Sequence, residues 1–194
     1  MQYRERRRSE AGAHAAIHIG DGLVIPRRLG QPWVGEVVPN VFHFGTTYIS
    51  CYAIEDAGAY TFIDTGLPGY WEQIFGFLAS RNAPLSAVHA VVLTHHHADH
   101  IGNAERLRKE AGAKVLIHSL DRAPVLRKAK PPTYLFPIWK PHVFKYMLHA
   151  MRAGASRTLP VVEATAFVDE EVLALPGHPR VIHVPGHTAG CRDS

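Results

Sequence analysis

The chain has 194 residues, 46% hydrophobic and 20% charged, with a formal net charge of +4, the composition of one ordinary globular domain large enough to bury a core. No apolar run approaches the roughly 18 residues of a membrane-spanning helix. Two cysteines, Cys51 and Cys191, argue against a disulfide framework and favour a reducing, cytoplasmic setting.

Residues 1–33 carry six Arg against Glu5, Glu10 and Asp21. They lack the apolar region of a signal peptide and read as a basic, disordered tail. Residues 34–194 form the expected domain. Val41 to Phe44, Thr47 to Ile54 and Ala59 to Asp64 predict a strand meander with a turn over Glu55-Asp56-Ala57-Gly58. Cys51 falls in the second strand as a small core residue. Trp71, Ile74, Phe75 and Leu78 recur at near-helical spacing, which predicts a helix over Tyr70 to Arg81. Ala90 to Thr94 reads as a buried strand, residues 104–111 as a helix stopped by Gly112, and Lys114 to His118 as a further strand.

An insertion follows at about residues 121–160, where eight Lys or Arg stand against Asp121. The rest of the chain between tail and insertion, and beyond it, is therefore net acidic. Prolines at 124, 131, 132, 137 and 141 exclude one long helix, but His142 to Ala153 can form a helix ended by Gly154. Val143, Met147 and Ala150, with Phe144, Leu148 and Met151 beside them, give it a broad apolar stripe. Two readings stay open for this segment, core packing and a substrate lid. Thr165 to Val168, Val172 to Leu175 and Arg180 to Val184 predict strands that begin a second set.

The chemistry concentrates in His95-His96-His97-Ala98-Asp99-His100. The run lies between a strand and a helix, at the carboxyl end of the strand, where open α/β sheets place ligand sites. His95 and His97, at alternate positions, can converge on one borderline-soft cation, and Asp99 and His100 can serve a neighbouring one. His96 points away on this alternation and is read as a non-ligand. The spacing excludes a zincin, whose two His lie four apart on a helix.

The segment Thr94 to Gly102 resembles the His-x-His-x-Asp-His signature of the metallo-β-lactamase-fold metallohydrolases. Thr61 to Gly66 resembles the family's strand-ending Asp-Thr-Gly. Val184 to Gly190 resembles its Pro-Gly-His-Thr-x-Gly motif, with His187 ninety positions after His97. The resemblance covers about residues 34–194. It implies an α/β (α+β) protein with the αβ/βα sandwich of the metallo-β-lactamase type. It also implies His95, His97 and His187 on one zinc, and Asp99 and His100 on a second, Asp99 being the catalytic carboxylate. Asp64 is expected to hold a ligating imidazole by its second ring N–H, although an Asp there also suits a turn.

The pattern departs from the family after His187. A bridging Asp at a further strand end and one more His are expected there, and only Thr188 to Ser194 follow. Asp193 is too near His187 to act as the bridge. The sequence therefore predicts a first half of the fold that is complete, a second half that is incomplete, and a second metal site lacking ligands. The function expected of the intact protein is zinc-dependent hydrolysis, a metal-acidified hydroxide attacking an ester, thioester, lactone or similar bond. A catalytically silent, truncated fragment that self-associates through its incomplete fold is the alternative. A nucleic-acid-processing enzyme is a weaker one, since the acidic body argues against such a partner. The basic aromatic insertion favours a small anionic or amphiphilic substrate.

Overall fold

The computed structural model describes residues 32–127 and 139–182. Residues 1–31 of the basic tail, the centre of the insertion, Cys191 and the motif that contains His187 lie outside the described residues. Seven strands form one sheet in the order β1 to β7: β1 (Trp33–Val38), β2 (Val41–Gly45), β3 (Ser50–Asp56), β4 (Ala59–Ile63), β5 (Val88–Leu93), β6 (Lys114–His118) and β7 (Thr165–Phe167). The first four run antiparallel as a meander, whereas β4, β5, β6 and β7 are parallel neighbours. Ala57 and Gly58 both take positive φ between β3 and β4, as a two-residue hairpin turn requires.

Parallel pairing brings the carboxyl ends of β4 and β5 to one edge of the sheet. This puts Asp64 and Thr94 side by side. The crossover between these strands contains α1 (Trp71–Ser80). The next contains α2 (Ala98–Ile101) and α3 (Ala104–Glu110). β6 leads to α4 (Arg122–Val125), and the insertion contributes α5 (Pro141–Arg152), closed by Gly154 in the left-handed region.

The larger core lies on the face that α1 covers, where Phe77 packs against Phe42, Tyr60 and Phe62. Cys51 is fully buried there. A smaller cluster on Ala90, Val92, Leu116, Phe167 and Leu173 occupies the remaining face. Among the described residues no helix is long and apolar enough to cross a membrane.

Several expectations need correction. Trp33–Val38 is a strand at the sheet edge, and the tail expected to reach residue 33 gives way to it there; none of residues 34–38 is buried, so no apolar run marks it in the sequence. In α1 the buried fourth position is Phe77, and Phe75 is exposed against the Trp71 ring. Thr165–Phe167 does not open a second sheet; it extends the first one beside β6. Val172 to Leu175 is not a strand. Gly177 and His178 take positive φ and turn the chain back after Pro176, so only Val172 and Arg180 make an isolated bridge. On α5, Ala150 is buried, but Phe144 and Met151 face solvent, so half of the predicted stripe is not core.

Candidate metal centre

Two loops build the site, one after β4 and one after β5. The first turns sharply at Asp64, a buried residue with φ of 59°. This left-handed conformation costs an L-residue about 1–2 kcal/mol, offset here by the bonds the side chain makes. The second loop runs from Thr94 into α2. The two are stitched together: Thr65 N–H and Oγ1–H both donate to the His100 carbonyl at 2.8 and 2.9 Å. Asn103, buried at the start of α3, donates its side-chain amide to the Thr65 and Leu67 carbonyls. Gly102 N–H donates to the Gly66 carbonyl at 2.8 Å.

Asp64 governs the imidazoles. Its Oδ2 accepts from His100 Nδ1–H at 2.8 Å and from Thr94 Oγ1–H at 2.7 Å. Its Oδ1 accepts from Thr94 N–H at 2.9 Å. The Thr94 hydroxyl, having given its proton to Asp64, accepts from His95 Nδ1–H at 3.0 Å. Both Nδ1 atoms are thus donors, which makes Nε2 the lone-pair nitrogen of neutral His95 and His100, the kind of atom that ligates a cation. Burial works against a charged His100 ring. The Asp64 hydrogen bond and the charges of Asp64 and Asp99 outweigh it, so its pKa is raised.

One ligand atom from each of His95, Asp99 and His100 lies within 4.8 Å of the others. Tetrahedral bonds of 2.0–2.1 Å place ligand atoms roughly 3.4 Å apart, so an adjustment of about an ångström closes the set. Two imidazole nitrogens and a carboxylate are a donor set suited to zinc. The grouping differs from the sequence pairing: His95 sits with Asp99 and His100. His97 lies beside His95, ring centroids 4.6 Å apart, outside that three-atom group. His96 turns the other way, its Nδ1 3.1 Å from Asp121 Oδ1 in the interior.

Sequence reasoning missed Thr94 as the link from Asp64 to His95, and it missed Tyr146. The Tyr146 hydroxyl, on α5, donates to Asp99 Oδ2 at 2.7 Å. Burial, with the adjacent Asp99, holds this phenol well above its ordinary pKa. Next to it His149 Nε2 is 2.9 Å from the Tyr70 hydroxyl, and Tyr48 packs against both Tyr146 and His149. Burial keeps the His149 pKa low. A residue 47 positions from Asp99 has no local signal to mark it.

The sequence pattern of the metallo-beta-lactamase superfamily matches residues 44–193. The probable metallo-hydrolase YflN of Bacillus subtilis (strain 168) is 29% identical over 147 residues, 70% of this chain and 52% of that protein. Among solved structures, BJP-1, a subclass B3 metallo-β-lactamase of Bradyrhizobium japonicum, superposes with a TM-score of 0.61 at 21% identity, covering 84% of this chain and 56% of that one. The class B3 di-zinc metallo-β-lactamase LRA-12 from an Alaskan soil metagenome gives 0.58 at 23% identity, covering 77% and 51%. The chain thus spans about half the length of these relatives. The solved structures share the fold, and the sequence match over most of the chain makes it a member of the metallo-beta-lactamase superfamily.

Proposed function

We propose that the protein is a zinc-dependent hydrolase that cleaves an ester, thioester, lactone or similar bond. The observation that carries this reading is the Asp64 network, which commits the Nε2 atoms of two imidazoles beside the Asp99 carboxylate. In this reading His95, His97, Asp99, His100 and His187 hold one or two zinc ions, the group of His95, Asp99 and His100 serving one of them with a position left for water. When bound, zinc supplies an acidified water and polarises the substrate oxygen. The chain's own residues do the rest. Asp64 orients the ligating rings, and Asp99 serves both as ligand and as the carboxylate nearest the reacting centre. The Tyr48, Tyr70, Tyr146 and His149 cluster forms an aromatic wall at the side of Asp99.

The aromatic side of α5 faces the site, and Lys140, Lys145 and Arg152 are exposed. This distribution favours an amphiphilic substrate whose apolar part meets tyrosines over one recognised by cations. The test is zinc content and zinc-dependent turnover of a panel of aryl esters, thioesters and lactones. His95→Ala should lower both together. Failure of the purified protein to take up zinc would overturn the reading.

A further inference from the structure

We propose that Tyr146 is a positioning residue of the metal centre, its hydroxyl holding the Asp99 carboxylate in the ligating orientation, and that α5 is a fixed wall of the site. The inference rests on reading His95, Asp99 and His100 as metal ligands. Asp99 lies in the first turn of a four-residue helix and is only partly buried, so its own backbone does little to fix its side-chain torsions. The oxygen that Tyr146 holds is also the one 3.7 Å from His100 Nε2. It is therefore the oxygen on the ligand side. A carboxylate oxygen has two acceptor directions, and a phenol in one leaves the other for a cation.

Tyr146 can act this way because its helix is anchored independently of Asp99. The Gly69 N–H donates to the Ala153 carbonyl at 2.9 Å. The backbones are so close that a Cβ on Gly69 would lie 3.1 Å from that oxygen. The Tyr70 hydroxyl joins Thr46 Oγ1 at 2.7 Å to His149 Nε2 at 2.9 Å, and Ala150 is buried in the main core. A lid that opened would break all of these contacts at once. Groups that orient ligands in this way commonly change metal affinity 10–100-fold.

The experiment is a cobalt and zinc titration of the full chain against a chromophoric chelator, comparing the native protein with Tyr146→Phe and Tyr70→Phe, each checked for fold by circular dichroism. Tyr146→Phe removes one oxygen and should weaken metal binding by about 10–100-fold, with a shift in the visible absorption of bound cobalt as Asp99 reorients. Tyr70→Phe removes one of the α5 anchors but leaves the Tyr146–Asp99 bond, so it should weaken metal binding less than Tyr146→Phe does and leave the cobalt spectrum nearer the native one. Native affinity and spectrum in Tyr146→Phe would overturn the proposal, as would tighter binding, which would mean that the hydroxyl competes with the ion. Equal losses in both variants would reduce Tyr146 to a structural contact and overturn it too. No metal uptake by the native protein would instead remove the metal-centre reading itself, and this proposal with it.

Discussion

Asp64 Oδ2 and His100 Nδ1 stand 2.8 Å apart, and the same oxygen holds Thr94 Oγ1 at 2.7 Å. One buried carboxylate therefore sets the tautomer of His100 directly and of His95 through a hydroxyl. Asp64→Asn keeps the shape but can present an amide N–H where an acceptor is needed. It should cost about 10–100-fold in zinc affinity, read by competition with a chromophoric chelator. Unchanged affinity would mean that the rings are held by packing alone.

The same pair gives the metal-stripped protein a pH dependence. The folded state binds the His100 proton more tightly than the unfolded chain does, because the Asp64 bond and nearby charges outweigh burial. The resulting stability is fully present below the ordinary histidine pKa of about 6.5 and is lost as pH rises through the raised folded value. Thermal midpoints of chelator-treated protein should fall across that window, and Asp64→Asn should flatten the slope. Added zinc should do more as pH rises, since it needs the deprotonated ring. Parallel slopes in native and variant protein would rule out His100 as the source.

Glu105 ties α3 to the strand of chain that returns from the insertion. It is buried, accepts from Arg108 at 2.9 Å on both oxygens, and accepts from Val162 N–H at 3.0 Å. Burial opposes its charge, but these donors outweigh it and its pKa is lowered. Glu105→Ala leaves the Val162 N–H without its acceptor and should cost about 1–3 kcal/mol, measured from urea midpoints. The stabilisation is present above the ordinary glutamate pKa and should be lost as pH falls through the lowered one. A variant as stable as the native protein at neutral pH would show that water replaces the carboxylate.

Local pattern carried much of this architecture. The apolar run of β5, the exact span of β6 and the stop of α3 before Gly112 could all be read from residues close in sequence. So could the placement of the His/Asp run between strand and helix. What escaped was set by distant contact. The Tyr146–Asp99 bond spans 47 positions, and the Phe77 side of α1 is chosen by the aromatic residues of β2 and β4 that it meets. The exposed half of the α5 stripe has the same origin. Periodicity ranks faces by apolarity, whereas the fold turned Tyr146 and His149 inward because the Asp99 carboxylate and the Tyr70 hydroxyl waited there. Val172 to Leu175 looked like a strand by composition, but Leu173 is buried as a single side chain in the smaller cluster without a ladder around it.

Gly102 separates two physical rules that predict opposite signs. Its φ of −53° is helical, so by backbone propensity alone an Ala there should add about 0.5–1 kcal/mol. Space says otherwise. A Cβ would lie 2.3 Å from the Gly66 carbonyl oxygen, 2.6 Å from Leu67 C and 2.6 Å from Pro68 N. All three are backbone atoms, pinned by the Gly102 and Asn103 bonds to the same loop. They cannot rotate aside as a side chain would, so the two loops must part. Gly102→Ala should therefore destabilise by about 1–3 kcal/mol. Because the loops that separate carry Asp64 on one side and His95, Asp99 and His100 on the other, zinc affinity should fall with stability. Thermal midpoints with and without zinc measure both effects. The zinc-induced shift should shrink in the variant beyond what the loss of stability accounts for. A more stable Gly102→Ala protein would show that the loops yield cheaply, and that the glycine is there for no reason of space.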